Sequence, residues 1–153
     1  PAKYMSVDIN PSVMMTINIY NRVINTKPLN DDAEILLSKT DVSGMSVSES
    51  MDELIKKSEE IGYLNEHNKD VIVEVVDGIG KIKLPDKNYG DVEVIIENAD
   101  KADLKNAKEM GVSIAKARAI AEYTKQNGGS IEENVHKLEN QSVKEIRRNL
   151  ENT

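Results

Sequence analysis

At 153 residues the chain is long enough for one compact domain with a modest satellite and too short for two full-sized ones. Hydrophobic residues make up 39% and charged residues 31%, a globular balance, yet Phe and Trp are absent, so the core must be built from Ile, Val, Leu and Met. A net charge of -7 repels a phosphate backbone and argues against non-specific nucleic-acid binding, while the lack of Cys excludes disulfides, thiolate nucleophiles and cysteine metal sites.

Residues 4–9 alternate, with Met5, Val7 and Ile9 on one face and Tyr4, Ser6 and Asp8 on the other, the period of a half-buried strand. Asn10-Pro11 interrupts it. The alternation resumes over 12–19 with Val13, Met15, Ile17 and Ile19, and Tyr20-Asn21 is placed to turn the chain into a third strand over 22–27. Pairing Ile9 with Val13 sets Val7 against Met15 and Met5 against Ile17, which leaves Asn10-Pro11-Ser12 as a three-residue loop. No run of about 18 apolar residues is present and the first residues do not resemble a signal peptide. Strand-like sequence opens the chain directly, as expected of a segment cut just outside a membrane helix.

Asn30-Asp31-Asp32 leads into a short helix ending near Lys39, and Ser46-Val47-Ser48-Glu49 has capping-box spacing ahead of Met51, Leu54, Ile55 and Ile61. Gly62 is placed to stop this second helix, whose apolar stripe is expected to lie on the sheet. Residues 71–76 and 92–96 read as buried strands. The link over 78–90, with its glycines and Pro85, is a poor helix and reads as a hairpin arm. Beyond Asn98 the period turns helical over 101–110, 113–126, 130–138 and 142–150, with Ser113, Ser130 and Ser142 as caps and glycines as breaks. The chain therefore reads as an α+β domain over 1–98, a mostly antiparallel sheet with helices packed on it, followed by a helical extension over 99–153.

The Asn10-Pro11 bond is unusual in any setting, because Pro lacks an N–H and its amide is tertiary. Attack by the following backbone nitrogen on the Asn side chain is blocked. Attack by the Asn10 side-chain nitrogen on its own carbonyl stays open and would expel the Pro11 nitrogen, cutting the chain. Proline in a tight turn favours a cis bond or displaces the residue before it, so strain is expected there. Read without its neighbours, the dipeptide is far better taken as a common turn starter than as a cleavage site. Asp8 and Ser12 flank it as candidate helpers, although Asp8 alone reads as a solvated strand carboxylate.

His67 and His136 stand without a partner constellation, and no ligand spacing suggests a metal. Asp77-Gly78-Ile79-Gly80 is too isolated for a phosphate loop. Residues 107–117 also have the look of a helix-turn-helix, with Lys116 and Arg118 on the would-be reading helix, but a Gly turn followed by a Ser cap is generic helical-hairpin chemistry.

The stretch Asp8-Ile9-Asn10-Pro11-Ser12, with Tyr4-Met5-Ser6-Val7 before it and Asn21-Arg22-Val23 after it, resembles the extracytoplasmic domain of RsgI-type anti-sigma factors. The resemblance extends through residues 31–37, 46–64 and 105–150, including Lys108-Glu109-Met110-Gly111-Val112-Ser113. It implies a domain of SEA-like architecture on the outer side of a bacterial membrane, in a single-pass protein whose inner segment holds a sigma factor. It also implies self-cleavage at Asn10-Pro11 with the pieces staying associated, residues 1–10 as a docked strand. Separation would then expose a stump to an intramembrane protease. That is single-turnover chemistry in cis, without cofactor or metal, rather than that of an enzyme, and it requires no nucleic acid. An uncleaved sensor or adaptor domain, and less favourably a DNA-binding regulator, are the alternatives. Two departures stand out. The family carries a longer helix-forming segment between the last two strands, and the Ser nucleophile of SEA domains is replaced by Pro11, with Ser12 one residue too late.

Overall fold

The computed structural model describes residues 2–76 and 89–151. Three strands, β1 (Lys3–Asp8), β2 (Ser12–Ile17) and β3 (Val23–Pro28), precede two helices, α1 (Asp31–Lys39) and α2 (Val47–Ile61). Strands β4 (Asp70–Val76) and β5 (Glu93–Ala99) follow, and then α3 (Lys101–Met110), α4 (Ile114–Asn127), α5 (Ile131–Lys137) and α6 (Val143–Glu151). The expected α+β class, a mostly antiparallel sheet with helices on it and a helical C-terminal part, is the observed one.

The sheet order is β3-β2-β1-β4-β5, which makes the first strand of the chain the central one. Its alternation divides the molecule. Met5, Val7 and Ile9 face one core with Val13, Met15, Val71 and Val73, closed by Ala33 and Leu36 of α1 and Met51, Leu54 and Ile55 of α2. The opposite face is covered by the C-terminal helices: Ile72 packs with Ala115, Ile120, Val143 and Ile146, and Met14 and Val76 pack with Ala107, Ile114 and Ala117. Both faces of the sheet are thus buried, so Ser6, Asp8 and Glu74, which alternation turns away from the first core, are buried too.

The second helix matches its sequence signals. The Ser46 hydroxyl accepts the Glu49 N–H, and Gly62 ends the helix at φ 100°, in the left-handed region that glycine enters without a Cβ penalty.

Two expectations need correction. The β1–β2 register pairs Val7 with Val13, Met5 with Met15 and Asp8 with Ser12, two residues away from the expected pairing, so the loop is Ile9-Asn10-Pro11 with Asn10 at its apex. A shift of two keeps every side chain on its face, so alternation cannot detect it. The observed register gives Asp8 a cross-strand partner, its carboxylate accepting the Ser12 hydroxyl at 2.6 Å. Secondly, β4 and β5 pair parallel, whereas the arms of a hairpin pair antiparallel. The link itself, including Asp77-Gly78-Ile79-Gly80, lies outside the described residues, apart from Tyr89 and Gly90 at its end.

Candidate functional site

Asn10 is exposed at the apex of the β1–β2 hairpin, while Pro11 after it is buried. The loop is closed by the Ile9 N–H donating to the Pro11 carbonyl at 2.9 Å, and Pro11 itself brings no backbone N–H that needs a partner. Among the described residues no peptide bond is cis, and Asn21 is the one non-glycine residue with positive φ. The cis bond, one of the two outcomes expected at Asn10-Pro11, is therefore not taken.

The bond between Asn10 and Pro11 is held from α1. Asn30 caps that helix by accepting the Ala33 N–H at 2.9 Å, and the same Oδ1 accepts the Ser12 N–H at 3.1 Å. Its Nδ2 donates to the Asn10 carbonyl oxygen at 2.9 Å. One amide thus brackets Pro11, gripping the residue before it and the residue after it. The Asn10 side chain also points to this helix, its Nδ2 donating to Asp32 Oδ2 at 3.2 Å.

On the buried side, Asp8 and Ser12 are together but not turned onto the Asn10 side chain. The Asp8 carboxyl is 5% exposed rather than solvated as its isolated reading suggests, because α4 and α6 cover that face. Burial pushes its pKa up, opposed by the hydroxyls of Ser12 and Ser113 and the charges of Arg147 and Lys116.

The Ile9 carbonyl accepts from Asn68 Nδ2 at 3.2 Å and from the Lys144 ammonium at 3.1 Å. Lys144 also donates to Asn68 Oδ1 and the Asp70 carbonyl, and its burial lowers its pKa. Two successive carbonyls, those of Ile9 and Asn10, are therefore fixed by side chains from distant elements.

Asn30, Asp32, Asn68 and Lys144 escape a reading of local sequence. Asn30 and Asp32 read there as a cap and a first-turn acid, which they are, and nothing local shows that both reach back about 20 residues to the loop.

The cations of the helix-turn-helix reading are engaged by partners within the chain. Lys116 donates to the Glu139 carbonyl at 2.9 Å, and Arg118 donates to both carboxylate oxygens of buried Glu74, at 3.1 and 2.9 Å. The first contact ties α4 to the segment between α5 and α6, and the second ties it to β4 of the sheet. His67 and His136 are exposed, and among the described residues no group of His, Asp and Glu is arranged to hold a metal.

A family model described as the anti-sigma factor RsgI-like central domain matches residues 2–122. Among curated proteins, the anti-sigma-I factor RsgI7 of Acetivibrio thermocellus is 29% identical over 163 aligned positions, covering 96% of this chain and 30% of that protein. The anti-sigma-I factor RsgI9 of the same organism is 31% identical over 71% of this chain and 14% of its own length. The anti-sigma-I factor RsgI of Bacillus subtilis is 32% identical over 48% of the chain and 19% of its own length. The chain spans less than a third of each of these relatives.

Proposed function

The chain belongs to the RsgI-like anti-sigma factor family through its central domain, and from that premise we propose that it is a juxtamembrane signalling module that cuts its own backbone between Asn10 and Pro11 and stays assembled. One observation carries the reading: the bond lies at the apex of a hairpin whose first strand is the central strand of the sheet. A cut there removes a covalent link and no packing. Residues before the cut keep ladder bonds to β2 and β4 and the burial of Met5, Val7 and Ile9. Each such side chain contributes about 1.5–3 kcal/mol when fully buried, so the joint is firm at rest yet separable.

In this reading the domain sits on the outer side of a bacterial membrane. Residues 1–10 continue into a membrane helix outside this chain, and a cytoplasmic segment holds the sigma factor. Withdrawal of β1 from the sheet leaves a short stump, the substrate an intramembrane protease requires, and its proteolysis frees the sigma factor. The cut itself is a single turnover in cis.

Intact mass of the denatured, purified chain tests the cleavage. A species beginning at Pro11 is expected, absent from Asn10→Ala, with both fragments co-eluting under native conditions. Full-length mass alone after prolonged incubation overturns the reading.

A further inference from the structure

We propose that Asp32 and Asn30 are catalytic residues of this self-cleavage: Asp32 accepts a proton from the attacking Asn10 side-chain amide, and Asn30 stabilises the oxyanion that forms on the Asn10 carbonyl. The assignment rests on the cleavage reading and selects its chemistry, attack by the side chain rather than by water.

A primary amide is a weak nucleophile because its nitrogen lone pair is delocalised into the carbonyl, so attack by Asn10 Nδ2 requires removal of a proton as the new bond forms. A general base must lie within hydrogen-bond reach of the proton it takes, about 2.6–3.2 Å. Asp32 Oδ2 accepts from Asn10 Nδ2 at 3.2 Å. The carboxylate also faces the half-buried Tyr63, whose hydroxyl is held above its usual pKa by burial and by the Asp32 charge. A base oriented by a third group is the usual arrangement around an activated nucleophile.

Asn30 supplies the second element. An oxyanion donor acts at about 2.7–3.1 Å, and Asn30 Nδ2 lies 2.9 Å from the Asn10 carbonyl oxygen. Its orientation is fixed by the other end of the same amide, which takes the N–H groups of Ser12 and Ala33. Capping explains the bond to Ala33. It does not explain an amide turned onto the one carbonyl that self-cleavage attacks.

The step balances. Asn10 Nδ2 bonds to the Asn10 carbonyl carbon while Asp32 takes one of its protons, and the carbonyl oxygen carries the negative charge toward Asn30. The carbonyl then re-forms, the bond to Pro11 breaks, and the Pro11 nitrogen leaves as a secondary amine with the proton that Asp32 took. Asn10 ends as a succinimide, which water opens to a C-terminal Asn or to its isomer, the aspartic acid α-amide, with the nitrogen kept in both.

The test is a time course of cell-free synthesis read by intact mass. Asp32→Asn is expected to slow formation of the Pro11 species by about 10²-fold or more, since positioned general bases contribute about 10²–10⁴-fold. Asn30→Asp keeps the capping oxygen and loses the donor, and is expected to slow it by about 10²-fold. Formate is expected to restore cutting to Asp32→Gly, a rescue that a structural role does not give, and the short fragment should carry a succinimide terminus. Thermal unfolding in an Asn10→Ala background checks that the variants fold. Folded Asp32→Asn and Asn30→Asp that cut within about threefold of the parent overturn the assignment, as does a slow, folded Asp32→Gly unmoved by formate. A parent chain that never cuts overturns the cleavage reading instead.

Discussion

The Lys144 ammonium, on the last helix, donates at 3.1 Å to the carbonyl of Ile9, the residue just before the loop apex. It thereby ties the C-terminal end of the fold to the strand that a cut would free. Lys144→Met keeps the apolar stem and removes the charge-assisted bond, which is worth about 1.5–3 kcal/mol. In the cut protein the residue 1–10 fragment should be released at lower urea concentration, followed by size exclusion and mass. Because Lys144 touches neither the Asn10 side chain nor its carbonyl, the rate of cutting should be unchanged.

Met5 makes the complementary case from inside the sheet. It pairs with Met15 on one side and Val75 on the other and is fully buried. Met5→Ala leaves a cavity in the first core and should cost about 2–5 kcal/mol. The loss should appear twice, as a lower urea midpoint in the uncut Asn10→Ala background and as faster fragment release after cleavage.

Glu74 gives the fold a pH dependence that runs from the acid range up to about 8. Its side chain is fully buried against Arg118 and near Arg147, which bonds Glu97 at 2.6 Å. Burial, reinforced by a hydrogen bond with Glu97, pushes Glu74 up to about 8. The unfolded chain releases this proton near 4.5 and the folded chain keeps it to about 8, so this group's contribution to stability falls as pH rises through that window and is level above it. Urea midpoints between pH 5 and 9 should show the decline in the Asn10→Ala background. Glu74→Gln, a neutral copy of the protonated acid, should flatten it.

Much of this architecture is legible in the residues themselves, because it follows from periods and caps. Met5, Val7 and Ile9 mark a face, Ser46 and Gly62 delimit α2, and the serines after Asn98 start three helices at the expected places. Register is not legible: the observed pairing of Val7 with Val13 and the expected one with Met15 bury the same side chains. The partners of the loop are hidden for another reason. Lys144 and Asn68 meet across 76 residues of chain, and Asn30 has a sufficient local role as a cap. Glu74 carried a signal of its own, a carboxylate in a strand otherwise apolar over residues 71–76, which calls for cationic partners such as Arg118 and Arg147.

The pair at the base of the loop yields the last prediction. Asp8 Oδ1 takes the Ser12 hydroxyl, while Asp8 Oδ2 is buried without a partner at hydrogen-bonding geometry. Ser12→Ala deprives a buried carboxyl of its short bond, and stability should fall by about 1–3 kcal/mol near neutral pH. Burial raises the Asp8 pKa in the folded chain, which then holds a proton that the unfolded chain releases above 3.8. Its contribution therefore declines as pH rises from there through the folded value, the same sign as Glu74 but starting lower. Asp8→Asn should remove that acid-side slope, measured by urea unfolding from pH 3.5 upward in the Asn10→Ala background. Because this register places Asn10 against Asn30 and Asp32, Ser12→Ala should also slow cutting. It should do so by less than Asp32→Asn, since it loosens the loop without touching the reacting atoms.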